Sequence, residues 1–435
     1  MTSIPRNPRS LTWPWILAAF LLHVLPFAMR PALLGGDEPH YALMAHSIAV
    51  DHDLDLRNDY AAVDAGSNAA GRKFAGRTLD PHLRHYGDRI VFSHPLGLPA
   101  LVSPAVWLLD RLAPGAAPDL LLGGITLALT FAAFLGGWWL LLQVLDDRRA
   151  ATLVAFAIYF STPLWFYSRT FFTEPYTWAF AVLAVVALAR DRWITASILL
   201  ALVFLVKETG ILIVLPILVF TAYHRGVRRA AELSIGPAVA VAIFATKNLL
   251  VYGSPLVTFQ PFEPGNPLRG LLGETFDLRH GILPFAPLLL IAAAGWFMNG
   301  RREEISRYLP FAASVALSYF VLISIWTDWG GGSCYGPRLF VPAIPAFSIS
   351  LACVERPGRR RTVARLLLDA AIVAGFAIQC AAATNPFAAF WSASVIEIVY
   401  GNPAGAIAGA VVAAAGLHLL ERREPAPPRI VPESD

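Results

Sequence analysis

Residues 119–145, DLLLGGITLALTFAAFLGGWWLLLQVL, decide the class of fold. The stretch carries a single charge, at its first position, and apart from Gln143 stays apolar or small until Asp146-Asp147-Arg148-Arg149. At about 1.5 Å of rise per residue, such a run crosses the roughly 30 Å hydrocarbon core of a bilayer as one helix. Working outward, comparable runs recur at 11–29, 150–168, 174–190, 193–206, 210–223, 231–251, 281–298, 308–326, 338–354, 364–384 and 402–420. Hydrophobic residues make up 56% of the 435 and charged residues 15%, with a mean hydropathy of +0.57. A soluble domain carries about a quarter charged residues. The expected class is therefore an all-α polytopic membrane protein, a single membrane domain over 1–435 with about twelve transmembrane helices.

Charge sets the expected topology. The net charge of +4 comes from arginines in short loops, which is an orientation signal and gives no support for nucleic-acid binding. Residues 94–112 are apolar but hold Pro95, Pro99 and Pro104. If they do not cross, Arg148/Arg149, Arg190/Arg192, Arg225/Arg228/Arg229, Arg301/Arg302 and Arg359 to Arg361 all fall in the cytoplasm, as the positive-inside bias requires. Both termini are then cytoplasmic, with 421–435 a short tail. Arg6 and Arg9 precede the first run, which is read as a retained helix instead of a cleaved signal. Cys334, Cys353 and Cys380 show no ligand spacing, so neither disulfides nor a zinc site are expected.

This topology places four segments outside: the long first loop 31–118, the Thr173-Glu174-Pro175 turn, the loop 252–280 and the stretch 326–338. Loops beyond about 15 residues are usually functional or disordered. The first begins Gly35-Gly36-Asp37-Glu38-Pro39-His40-Tyr41 and continues at helical spacing, which predicts an amphipathic helix along the membrane surface. Asp37 and Glu38 suit a helix N-terminus, so the plain reading of the pair is a cap. Asp51, Asp53, Asp55, Asp59 and Asp64 follow; without a completing Gly-x5-Glu they read as a solvated surface segment, not a calcium loop. His82, Arg84, His85, Tyr86, Arg89 and His94 mix basic and aromatic groups, suiting an anionic headgroup or ordinary snorkelling. Lys207-Glu208 interrupts an apolar stretch; charges there cost about 2.5–3.5 kcal/mol mid-membrane, and a local Lys–Glu pair is the plain reading. The stretch from Trp326 to Arg338 is rich in glycine and ends in a guanidinium suited to phosphate.

In this order the motifs resemble the GT-C fold glycosyltransferases, the group holding aminoarabinose transferases and protein O-mannosyltransferases. The resemblance rests on Gly36-Asp37-Glu38-Pro39-His40-Tyr41, His94-Pro95, Thr173-Glu174-Pro175 and Lys207-Glu208-Thr209-Gly210, with Gly-Gly-Gly-Ser-Cys-Tyr-Gly-Pro-Arg338-Leu339 similar to the wider group. It covers about residues 10–225. It implies an enzyme of a bacterial inner membrane, acting on the outer, periplasmic face. Such an enzyme moves a sugar, with inversion, from a polyprenyl-phosphate carrier to a lipid, glycan or protein acceptor.

By the same resemblance, Asp37 and Glu174 are candidate catalytic groups or ligands of a divalent metal ion, with Glu38 beside them as a further catalytic candidate. Glu174 stands where relatives often have Asp, and His94 where some have Lys. A hydroxyl nucleophile needs a carboxylate to accept its proton. Arg338, Lys207 and His94 are the candidates for the departing phosphate, with Arg338 ranked first. His40, Tyr41, Glu208 and Tyr335 lie in the same motifs and are carried as substrate-binding candidates. A groove beside 94–112 would take the prenyl chain. No soluble segment follows the last apolar run here, so acceptor recognition is expected from loops. The rival readings are a secondary transporter or lipid flippase, and a lipid-linked polysaccharide ligase or polymerase. Transporters usually show related halves, and none is visible between 1–220 and 221–435.

Overall fold

The computed structural model describes residues 12–29, 35–65, 83–86, 89–92, 94–113, 116, 118–145, 147–256, 262–297, 305, 307–354, 363–391 and 393–421. Helices in chain order are α1 (Trp13–Met29), α2 (Glu38–His46), α3 (Arg57–Ala65), α4 (Gly97–Leu112), α5 (Asp119–Val144), α6 (Arg148–Phe160), α7 (Leu164–Tyr167), α8 (Thr173–Ala189), α9 (Trp193–Val206) and α10 (Ile211–Arg225). They continue as α11 (Val227–Tyr252), α12 (Pro267–Phe276), α13 (Ile282–Phe285), α14 (Pro287–Ala294), α15 (Leu309–Ser324), α16 (Phe347–Val354), α17 (Val363–Thr384), α18 (Pro386–Phe390), α19 (Val395–Gly401) and α20 (Pro403–Glu421).

Every apolar run read from the sequence is helical, but three are broken. Run 150–168 divides at Ser161-Thr162-Pro163 into α6 and α7. Run 281–298 divides at Ala286, before Pro287. Run 338–354 begins as a 3-10 helix, Arg338–Ala346, that contains Pro342 and Pro345. Proline lacks the amide an α-helix needs and crowds the preceding turn, so these breaks are local chemistry. Among the described residues, five helices are long and apolar enough to cross a bilayer (119–144, 208–225, 227–252, 363–384 and 403–420), and six shorter apolar ones accompany them. The chain is a helical membrane protein. Its lipid-facing surfaces are plain on α11, where Ile235, Val239 and Ile243 stand exposed at four-residue spacing.

Inside the bundle, where lipid is as apolar as leucine, close packing and polar links join the helices. Phe134 and Trp138 of α5 meet Phe156, Tyr159 and Phe160 of α6 at ring separations of 5.0 to 5.6 Å. His23 of α1 ties the same group together through Thr130 (3.2 Å) and Tyr159 (3.1 Å).

The first long loop departs from expectation in three ways. Every residue of α2 is buried, so this helix does not lie on the membrane surface with one wet face. It is enclosed by α4 and by a π turn, Ser47–Asp51, that continues it. Asp59 is also buried, at 1% exposure, instead of solvated with its neighbours. Finally, the chain is not purely helical. Leu83–Tyr86 and Arg89–Phe92 pair as an antiparallel ribbon, with Leu83 opposite Phe92 and Tyr86 opposite Arg89. The Gly87-Asp88 link between the strands lies outside the described residues. His82, and the side chains of Asp64, Arg84, His85, Tyr86 and Arg89, lie outside the described residues, as do Arg301, Arg302, Arg359 to Arg361 and the tail beyond 421.

Helix α4 packs against α2, the π turn and α9. The approach to α9 needs glycine: a Cβ at Gly97 would lie 2.2 Å from the Leu205 carbonyl oxygen. Gly97→Ala is therefore expected to cost about 1–3 kcal/mol of overpacking. A lowered melting temperature in detergent would show it, with the loss confined to variants at this contact.

Candidate functional site

The candidate residues from four separate segments meet at one end of the bundle. Asp37 takes the N-cap position of α2, but its side chain makes no cap hydrogen bond. Instead, Arg338 Nη1 donates to Asp37 Oδ2 at 3.1 Å. The same guanidinium places Nε 3.5 Å from Glu174 Oε1 in the first turn of α8. Lys207 Nζ, at the end of α9, donates to that same Glu174 oxygen at 2.5 Å. The face of the Phe172 ring lies 5.0 Å from the Arg338 guanidinium carbon, which flattens the fork against one wall. Two carboxylates and two cations thus share one largely enclosed cluster, with side-chain exposures of 12% for Asp37 and Arg338, 1% for Glu174 and 15% for Lys207. A buried charge survives only when it is paired, and here each is.

The surroundings explain why the cluster holds its shape. Gly36 adopts a left-handed backbone (φ 55°) as the chain turns into α2, with Phe172 and Phe390 beside it. Glu38 is fully buried and accepts from two backbone amides, Gly35 N–H at 2.8 Å and Phe171 N–H, so it straps α2 to the turn before α8. Burial pushes the Glu38 carboxyl up to about 8, against the pull of those two amides. His40 is joined to Tyr60 of α3, and the Tyr41 hydroxyl lies 3.3 Å from His94 Nδ1. The Thr209 carbonyl accepts from Tyr319 of α15 at 3.0 Å, which anchors the segment after Lys207.

Other candidates are set further back. Glu208 opens a short 3-10 turn and has Lys207 and Lys247 as its neighbouring charges. Tyr335 is enclosed: its ring stacks on Phe166 at 4.0 Å, its hydroxyl donates to Gln379 at 2.9 Å, and its carbonyl accepts from Tyr167 at 2.7 Å. It anchors the turn that carries Arg338. A second guanidinium, Arg169, was passed over in the sequence although it interrupts an apolar turn. It is 2% exposed and donates to the Ala383 carbonyl near the C-terminus of α17, where a cation is favoured.

In the Asp37–Glu174 pair, Arg338 stands between the two carboxylates and Lys207 covers the nearer Glu174 oxygen, so a divalent ion would share these oxygens with two cations.

Glu274 of α12 was also missed. It is 2% exposed, accepts from Ser324 at 3.0 Å, and is pushed by burial up to about 9. A carboxyl raised in the folded state stabilises the protein at low pH, and that contribution is lost as pH climbs from about 4.5 through 9. Stability should therefore decline between pH 6 and 9. Glu274→Gln is expected to flatten part of that decline and to melt higher than the wild type at pH 9, and a melting series in detergent across this range checks it.

The cluster lies opposite the basic ends of the bundle. From Glu174, α8 runs to Arg190; α9 returns from Arg192 to Lys207; and α10 leads away again to Arg225. Arg225 pairs with Asp191 at 3.3 Å at that far end. An apolar hollow of about 520 Å³, lined by Trp13, Leu17, Phe20 and Phe131, lies along the N-terminal part of α1, whereas Asp37 follows its C-terminal end.

Fold and site together define a helical membrane protein with a paired acid–base cluster at one end of its bundle. No protein-family model and no curated protein matches the chain. Among solved structures, it is similar to the crystal structure of ArnT from Cupriavidus metallidurans bound to undecaprenyl phosphate. That similarity has a TM-score of 0.48 at 17% identity, over 93% of this chain and 76% of that one.

Proposed function

We propose that the protein is an inverting glycosyltransferase of a bacterial inner membrane, taking its sugar from a polyprenyl-phosphate carrier at the outer face. The observation that carries this reading is the Arg338 guanidinium held between Asp37 and Glu174, with Lys207 on the far side. The motif order resembling GT-C enzymes supports it. So does the placement of Arg190, Arg192, Arg225, Arg228 and Arg229 at the end away from the cluster, which the positive-inside bias assigns to the cytoplasm.

In the proposed reaction the acceptor hydroxyl attacks the anomeric carbon as the bond from that carbon to the phosphate oxygen breaks. Asp37 takes the hydroxyl proton, and the polyprenyl phosphate leaves with the electron pair. Arg338 exchanges Asp37 for the phosphate as the donor arrives, which frees the carboxylate to act as base and brings the fork to the developing negative charge. Glu174, held by Lys207, keeps the guanidinium from leaving altogether. No metal-dependent step is assigned to this pair. Phe172 gives the cluster an apolar wall beside Arg338, and α4 offers exposed Leu101, Trp107 and Leu108 along the expected path of the prenyl chain.

The test uses sealed proteoliposomes carrying a radiolabelled polyprenyl-phosphate sugar, with an envelope extract as acceptor source. Formation of free polyprenyl phosphate, matched by label in the acceptor, supports transfer. Label crossing the bilayer with its phosphoester bond intact would make the protein a transporter or flippase.

A further inference from the structure

Beyond the cluster at Asp37, a second group of polar side chains is assembled where α2 ends. In an α-helix, residues five apart sit about 140° from each other around the axis, so His46 and Asp51 would diverge. The π turn Ser47–Asp51 widens the coil, and five residues then make little more than one turn. Asp51 is thereby brought back over His46, with its Oδ2 3.9 Å from His46 Nδ1. His52 follows in a left-handed backbone (φ 60°) and reverses the chain, so that α3 returns Asp59 to the same point. Asp59 Oδ1 lies 3.0 Å from His46 Nδ1. One donor atom from each of the three residues fits within 4.8 Å of the other two.

Two observations make this more than a His–Asp contact. The Asp59 side chain is completely enclosed, yet its second oxygen, Oδ2, has no hydrogen-bond partner among the described residues. A buried carboxylate oxygen left without a donor carries a desolvation cost that a ligand would remove. Charge is also out of balance: Asp110 of α4 bears on His46 together with Asp51 and Asp59. One imidazolium against three carboxylates leaves the group negative.

We propose that His46, Asp51 and Asp59 form a binding site for a first-row divalent cation, Zn²⁺ or Mn²⁺. Ligand distances of about 2.0–2.2 Å around such an ion set tetrahedral donors about 3.3 Å apart; the two spacings from His46, 3.0 and 3.9 Å, bracket that value, and Asp51 and Asp59 offer oxygens within 4.8 Å of each other. The imidazole nitrogen disfavours Ca²⁺ and Mg²⁺, which take oxygen donors. Asn58 donates to Asp51 Oδ2 at 2.8 Å and orients that carboxylate as an outer support. The ion clips the π turn to α3. Because Tyr60 of α3 is joined to His40, three residues beyond Asp37, the clip also fixes the back of the candidate site.

The inference does not depend on the transferase reading, and its test is separate from it. The full-length protein in detergent, with any affinity tag removed and stripped with chelator, is titrated with ZnCl₂ and with MnCl₂ by calorimetry and by melting temperature. One equivalent of at least one ion should bind and raise the melting temperature. Asp51→Asn, at the more exposed position, and Asp59→Asn should each weaken binding at least about tenfold. Asp37→Asn should bind as the wild type does, which separates this site from the cluster at Arg338. If Asp59→Asn fails to fold, Asp51→Asn decides alone. Absence of binding of both ions to the wild type, or binding unaltered in Asp51→Asn, would overturn the proposal and leave His46–Asp59 as a structural ion pair.

Discussion

Asp37→Asn is expected to lower sugar transfer by about 10²–10⁴-fold while the protein still folds and purifies as a single species. Asparagine keeps the shape of the side chain, and its amide oxygen can still accept from Arg338, although Arg338 and Lys207 then share the single charge of Glu174. What is lost is the capacity to take a proton from the attacking hydroxyl. The measurement is the initial rate of polyprenyl-phosphate release at saturating donor, beside a melting curve. A rate near that of the wild type would remove Asp37 from the role of base. Loss of both rate and fold would show the residue to be structural first.

Arg338 should be more sensitive still, because one side chain serves two carboxylates. Arg338→Ala leaves Asp37 without its 3.1 Å partner and Glu174 with Lys207 alone. Breaking a buried pair in this way costs about 3–5 kcal/mol, so a sharply lowered melting temperature is expected together with loss of transfer. Arg338→Lys is the more informative variant. It restores the charge, but a point charge cannot span Asp37 and Glu174 or grip a phosphate with two parallel donors. Stability should largely recover while kcat stays down by about 10²-fold, the cost typical of removing one oriented donor from a developing oxyanion. Full recovery of kcat in the lysine variant would mean that Arg338 supplies charge alone.

The helical skeleton was legible in the sequence because membrane spans are the simplest of sequence signals. Run length and the scarcity of charge marked all twelve apolar stretches, but the three breaks were not legible, since Pro26, Pro216 and Pro237 sit inside unbroken helices. The pairings inside the site were not legible. Lys207 has Glu208 beside it in the sequence, and a local pair was the natural reading. In the fold its partner is Glu174 on the preceding helix, because α8 and α9 form a hairpin that brings their ends together. Asp37 looked like a helix cap and occupies a cap position, yet its carboxylate turns to a guanidinium 301 residues away.

Other misses have equally specific causes. Helix α2 was expected on a membrane surface because its apolar residues sit at helical spacing, but a helix that is buried on every side can carry the same pattern. The burial of Asp59 was hidden by the π turn, which shifts the register of everything after it and which no residue pattern announces. Glu274 sits in an ordinary-looking stretch, Gly270-Leu-Leu-Gly-Glu274. Its burial follows from a close approach of α12 to α15, where a Cβ at Gly270 would lie 2.0 Å from the Ser324 carbonyl oxygen. Only the two glycines in that stretch hinted at it.

The central claim is that Arg338 and its carboxylates receive the phosphate of a polyprenyl carrier. The measurement that addresses it most directly is a cryo-electron microscopy structure of the protein in nanodiscs with polyprenyl phosphate added. The account predicts phosphate density within about 3 Å of the Arg338 guanidinium, with Asp37 released from its ion pair and the prenyl chain running toward α4. Phosphate density at the opposite end of the bundle, beside Arg225, Arg228 and Arg229, with the Asp37–Arg338 pair intact, would contradict it.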